Sequence, residues 1–94
     1  MTIFLKKFGV TLTSRQAGKE AYAAFQPSLQ NVTKGEKIVL DFEGVITFSP
    51  SWGDEFITPL RKKYVSQIEM TNTSNPSVKA TLEMLEEIRP ASAI

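Results

Sequence analysis

The residue types able to do chemistry in this sequence gather in one stretch, LDFEGVITFSPSWGDEF, from Leu40 to Phe56. Among its carboxylates are Asp41, Asp54 and Glu55, and two hydroxyls, Ser49 and Ser51, flank Pro50. The three carboxylates could in principle hold a hard cation through oxygen, or divide acid and base roles in a hydrolase. Against this, Asp54 and Glu55 are adjacent, and neighbours on a helix point about 100° apart. A solvated pair is the simpler reading. Asp41 closes an apolar run just before Gly44, where a turn hydrogen bond is the simpler use of its side chain. No histidine or cysteine occurs anywhere in the chain, so the imidazole base, the thiol nucleophile, the Ser-His-Asp triad and the ordinary structural zinc site are all excluded.

The two serines matter because they stand at a predicted helix start. Proline is favoured at the first helical position, which makes Ser49 the cap and leaves the Ser51 hydroxyl free at the second. In the alternative register Ser51 is itself the cap and its hydroxyl is occupied. A phosphate on a free Ser51 would meet unpaired amide donors at the positive end of the helix, a placement worth roughly 0.3–1 kcal/mol to an anion at an exposed site. Such a group changes the surface without melting the helix. The plainer use of Ser51 is local hydrogen bonding at the helix start.

These residues need elements to position them. TIFLKKF, Thr2 to Phe8, reads as a first strand ended by Gly9, with a possible short strand between Gly9 and Leu12. Thr13 and Gln16 have capping-box spacing, with Leu12 placed to staple against Ala17. The helix that follows carries a stripe of Ala17, Ala21, Ala24, Phe25 and Tyr22, and Pro27 ends or kinks it. KIVLDF is short, apolar and β-branched, the pattern of a central strand covered on both faces.

In the next helix Trp52, Phe56, Leu60 and Tyr64 recur at spacings of four with Ile57 beside them, which predicts a buried stripe. Trp52 reads first as core, though a first-turn indole can also leave an edge for a partner. Asp54 and Glu55 fall in the first turn and Arg61, Lys62 and Lys63 in the last, the order the helix dipole favours. Pro59 is expected to bend this helix. QIEMTNT alternates polar and apolar, as an edge strand or one with a wet face does. Asn75 and Pro76 then read as cap and first residue of a third helix, with Val78, Leu82, Leu85 and Ile88 as its apolar stripe. Lys79, Glu83, Glu86 and Glu87 form its solvated face, Arg89-Pro90 closes it, and ASAI is a tail.

Strand and helix thus alternate through the chain. The expected fold class is α/β, a small single domain over residues 1–94 with a mixed or mostly parallel sheet of three to five strands and about three helices. Ligands and partners of such sheets meet the protein beyond the carboxyl ends of the strands, where the Phe48 to Trp52 turn falls.

A chain of 94 residues can bury roughly 60–65% of its unfolded surface around one core. With 41% hydrophobic and 22% charged residues it lies within the folded globular range. A formal net charge of +1 implies neither nucleic acid nor an anionic membrane as partner. The opening MTIFLKK has its apolar run ahead of its lysines and too short for a signal peptide, and no later run reaches membrane-spanning length. A cytoplasmic protein is expected.

The order LTSRQAGKEAYAAF, then IVLDFEGV, then FSPSWGDEF resembles the STAS domain of anti-sigma factor antagonists and sulfate transporters, and more closely the STAS-like domain family of unknown function. The likeness spans about Leu12 to Leu85. In the STAS pattern a strand ending in an Asp-apolar-x-Gly-Val turn leads to an Asp-Ser-Ser-Gly type turn at a helix start. Counted from Asp41, the second serine of that turn, phosphorylated in antagonists by the cognate kinase, falls on Ser51. Ser49 stands where antagonists usually carry an acidic residue, Pro50 replaces the first serine, and Trp52 occupies the next position.

The resemblance implies a non-enzymatic regulatory domain that binds a protein partner, and it carries a functional residue, the phosphorylated serine, over to Ser51 alone; the docking surface expected at this helix start is Ser49, Pro50, Ser51, Trp52, Asp54 and Glu55. The resemblance also implies a histidine-kinase-like ATPase of the anti-sigma type as partner, and no cofactor. The alternative is a small-ligand or cation-binding domain, or a hydrolase, using Asp41, Asp54 and Glu55.

Overall fold

The computed structural model describes residues 1–87. Its elements, in chain order, are β1 (Thr2–Phe4), a 3-10 turn (Leu5–Phe8), β2 (Thr11–Leu12), α1 (Arg15–Leu29), β3 (Ile38–Asp41), β4 (Thr47–Phe48), α2 (Pro50–Lys63), β5 (Ile68–Thr71) and α3 (Pro76–Glu87). Ile88, the Arg89-Pro90 stop and the ASAI tail lie outside the described residues, as does the Glu87 side chain.

The expected α/β class is present, with three α-helices and parallel sheets of three and two strands. The larger sheet has the order β1-β3-β5, so IVLD is the central strand as its composition predicts. Ile3, Leu40 and Met70 pair across it, as do Phe4, Asp41 and Thr71 on the opposite face. The smaller sheet pairs Thr11 with Thr47 and Leu12 with Phe48, also in parallel. It takes up the β1–β3 ladder again after a break in each strand, the 3-10 turn in one and the Phe42 to Val45 turn in the other.

The first strand is shorter than its sequence suggests. Ile3 and Leu5 both point inward, but two consecutive lysines follow, which no inward-outward alternation can accommodate. The backbone turns instead, closed by Gly9 N–H donating to the Lys6 carbonyl at 3.0 Å, and brings Phe8 against the aromatic core. The central strand departs in another way. Ile38 and Leu40 are fully buried, whereas Val39 and Asp41 are only half-buried, so β3 is covered on one face rather than both. The exposed Lys37–Glu69 pair, 3.3 Å apart, belongs to the wetter surroundings of that sheet, consistent with the alternation read for β5.

The α1 cap also shifts by one residue. Ser14, not Thr13, accepts the Ala17 N–H at 3.1 Å, and Gln16 donates to Glu20 instead of closing a capping box. The buried stripe is Gly18, Ala21, Phe25 and Leu29, so Ala21 and Phe25 face inward as expected while Ala17 and Ala24 are exposed. Pro27 stands in the last turn, and the helix ends two residues beyond it. The α2 stripe follows its spacing closely: Trp52, Phe56, Ile57 and Leu60 are buried. The helix runs through Pro59 to Lys63, and Tyr64 lies just past its end.

The buried side chains of strands and helices form one cluster that includes Ile3, Leu40, Phe25, Phe48, Trp52, Phe56 and Leu85. Trp52 stacks on Phe56 with ring centroids 5.0 Å apart, and Phe8, Phe25 and Tyr22 close around Phe56. Such pairs are worth about 0.5–1.5 kcal/mol each beyond the area they bury. This cluster fixes α2 against α1 and the strands, and thereby fixes the turn from which α2 starts.

Candidate functional site

The candidate site is that turn. Ser49 has extended backbone angles, its hydroxyl accepts the Trp52 N–H at 3.4 Å, and Pro50 is the first helical residue. The Ser49 cap is therefore the register adopted. The same hydroxyl donates to the Thr13 carbonyl at 2.8 Å, which ties the start of α2 to the segment entering α1. Ser51 sits at the second helical position, half-buried, and its hydroxyl makes no hydrogen bond among the described residues.

Each side of the turn is held by another element. On one side α1 comes so near that a Cβ on Gly18 would lie 2.6 Å from the Trp52 carbonyl oxygen. On the other, α3 supplies two hydroxyls to Phe48, the last residue of β4. Ser77 Oγ accepts the Phe48 N–H at 2.9 Å and donates to its carbonyl at 3.1 Å, and the buried Thr81 Oγ1 donates to that carbonyl at 2.6 Å. Asn75, the predicted α3 cap, accepts from the amides of Ser77 and Val78 and donates to the Val45 and Ile46 carbonyls. A β4 edge that would otherwise carry unpaired polar groups is thus satisfied by side chains of a helix.

Asp54 and Glu55, expected in the first turn of α2, fall just beyond it, since the helix starts at Pro50. They also converge, contrary to the expectation for adjacent residues. Arg15 reaches across from the first position of α1, and its Nη1 donates to Asp54 Oδ2 at 3.2 Å and to Glu55 Oε2 at 2.6 Å. Thr58 donates to the other Asp54 oxygen at 3.0 Å. The Glu55 and then the Asp54 hydrogen bond hold the Arg15 guanidinium above its ordinary pKa. Arg15 is the residue that sequence reasoning missed, although one signal was present. A cation at a helix N-terminus opposes the dipole and so suggests an acidic partner from elsewhere.

Trp52 does not share the surface formed by its neighbours. Its indole is 1% exposed, packed on Phe8, Phe48 and Phe56, so it is a core residue and not a contact for a partner. Ser49, Pro50, Ser51, Asp54 and Glu55 are each half-buried and remain on the accessible side.

Asp41 serves a turn. Its Oδ1 accepts from Asn72 Nδ2 at 2.8 Å and from the Glu43 N–H at 2.9 Å, with Gly44 at φ 85° completing the bend. The Asn72 amide first, then the Glu43 N–H, and also the charge of Lys6 hold this carboxyl below its usual range. The structure thus gives Asp41 one set of partners and Asp54 with Glu55 another. Among the described residues no group of three His, Cys, Asp or Glu side chains could hold a metal ion. The three carboxylates of the cation or hydrolase reading do not form a common site. Nor is any helix among the described residues long and apolar enough to cross a membrane.

A family model described as a STAS-like domain of unknown function matches residues 17–78. The chain belongs to that family. The match runs from the first turn of α1 to the first turn of α3, and so takes in the central strand, the Ser49 to Glu55 turn and the whole of α2 of this STAS-like domain. Searches of curated proteins and of solved structures found no significant match.

Proposed function

We propose that this STAS-like domain is a non-enzymatic regulatory interaction module, resembling an anti-sigma factor antagonist, that docks a protein partner through the β4–α2 turn and is switched by phosphorylation of Ser51. The observation that carries the reading is the division of labour between the two serines. Ser49 takes the capping role and Ser51 is left with an uncommitted hydroxyl on a turn anchored from both sides. The docking surface is Ser49, Pro50, Ser51, Asp54 and Glu55, and the partner class is a histidine-kinase-like ATPase of the anti-sigma type in the cytoplasm. Phosphoryl transfer from a nucleoside triphosphate forms the Oγ–P bond, breaks the terminal phosphoanhydride, and releases the nucleoside diphosphate and the hydroxyl proton. The product adds about −1.5 to −2 charge at neutral pH to a surface that already carries two carboxylates.

The test is affinity capture from the source organism with wild type, Ser51→Ala and Ser51→Asp, followed by calorimetry on the purified partner. An ATPase of that class that binds wild type and Ser51→Ala alike, and binds Ser51→Asp at least tenfold more weakly, supports the switch. Equal affinity for all three removes the switch, and capture of no partner removes the docking reading.

A further inference from the structure

We propose that Arg15 is the residue that receives a phosphate placed on Ser51, and that in doing so it lets go of Asp54 and Glu55. The inference rests on the reading of Ser51 as the modified residue and adds what the fold does in response. Residues three and four apart on a helix are neighbours, with Cβ atoms about 5–6 Å apart. Ser51 therefore shares a face of α2 with both Asp54 and Glu55, the two carboxylates that Arg15 holds at 3.2 and 2.6 Å. A phosphate there enters the field of the same guanidinium.

The guanidinium is equipped for it. Both ion-pair hydrogen bonds use Nη1, so Nη2 and Nε are uncommitted among the described residues, and the side chain is 55% exposed. Arginine presents five donors in a rigid fork that matches phosphate geometry. The first turn of α2 contributes as well. Pro50 has no N–H and the Trp52 amide is taken by Ser49, which leaves the Ser51 amide to face the anion.

Without the phosphate, one cation screens two carboxylates. With it, the same cation faces about four negative charges, and the dianion outbids each monoanion. Arg15 moves within reach of its own fork, Asp54 and Glu55 lose their screen, and the partner meets a surface whose sign has been sharpened. Arg15 is a positioning residue for the phosphate, and the α1–α2 ion pair is the element that changes.

The experiment uses the full chain with phosphoserine incorporated at position 51 during translation, so that no kinase or partner is required. The phosphate is titrated by phosphorus NMR in the Arg15 background and in Arg15→Gln and Arg15→Lys, with circular dichroism melts to establish that each is folded. A phosphate midpoint lower by about one pH unit with Arg15 than with Arg15→Gln, and intermediate with Arg15→Lys, is the expected result. An identical midpoint in all three overturns the proposal. If Arg15→Gln fails to fold, Arg15→Lys alone is compared with Arg15, and an identical phosphate midpoint in the two overturns the proposal. A normal titration response together with no effect of Ser51→Asp on the partner would place the failure in the switch and not in Arg15.

Discussion

Ser49 and Ser51 stand two residues apart and their hydroxyls have opposite fates. Ser49 accepts the Trp52 amide and donates to the Thr13 carbonyl, whereas Ser51 does neither. Losing a helix cap costs about 1 kcal/mol. Ser49→Ala is therefore expected to lower stability by about that amount or more, because the tie to Thr13 goes with the cap. Ser51→Ala should stay within about 0.5 kcal/mol of wild type. Urea unfolding of the two variants measures both, and the reverse ranking would mean that Ser51 is the cap in solution. The division was partly legible in the sequence, since Pro50 marks the first helical position. The role of Arg15 was not, because its partners are some forty residues away along the chain and only the packing of α1 on α2 brings them together.

At the scale of the elements, the position of α2 depends on how closely α1 approaches it. Gly18 packs on the backbone of Trp52, where an added Cβ would lie 2.6 Å from the carbonyl oxygen and 3.0 Å from Cα. Overpacking typically costs about 1–3 kcal/mol, while alanine gains about 1 kcal/mol over glycine in a helix interior. The opposing atoms are backbone and cannot swing aside, so Gly18→Ala is expected to be destabilising on balance. Its urea midpoint should fall below that of wild type, whereas Ala24→Gly on the exposed face should lose only the helix preference, about 1 kcal/mol. A Gly18→Ala variant as stable as wild type would show that α1 can move away without cost. The sequence displayed the alanines of α1 but gave no reason to rank a glycine above them. The packing of α1 on the start of α2 decided which of these small residues faces inward.

At the scale of the whole molecule, stability carries a pH dependence set by carboxylates at sheet and loop ends. Asp41 is held below its ordinary value of 3.8 by the Asn72 amide, the Glu43 N–H and Lys6. Glu36 is held below 4.5 by the Thr33 N–H first and then by the Met1 ammonium. A carboxyl whose pKa is lowered by folding stabilises the native state above its unfolded pKa, and that contribution is lost as pH falls through the folded value. Asp41→Asn is therefore expected to melt below wild type at neutral pH and to approach it as the solution is acidified below the ordinary carboxylate range. Thermal melts of the two proteins across that range measure the effect, and a constant gap would assign the loss to packing rather than charge. What the sequence determined by itself was whatever periodicity and local chemistry control: the α/β alternation, the central IVLD strand, the Trp52 to Leu60 stripe, and the cap at Asn75. Those signals act over a few residues and survive any tertiary arrangement. What only the tertiary structure decided was the one-sided cover of β3 and the meeting of Arg15 with Asp54 and Glu55. Each of these depends on which surfaces of distant segments face each other, and no local pattern encodes that.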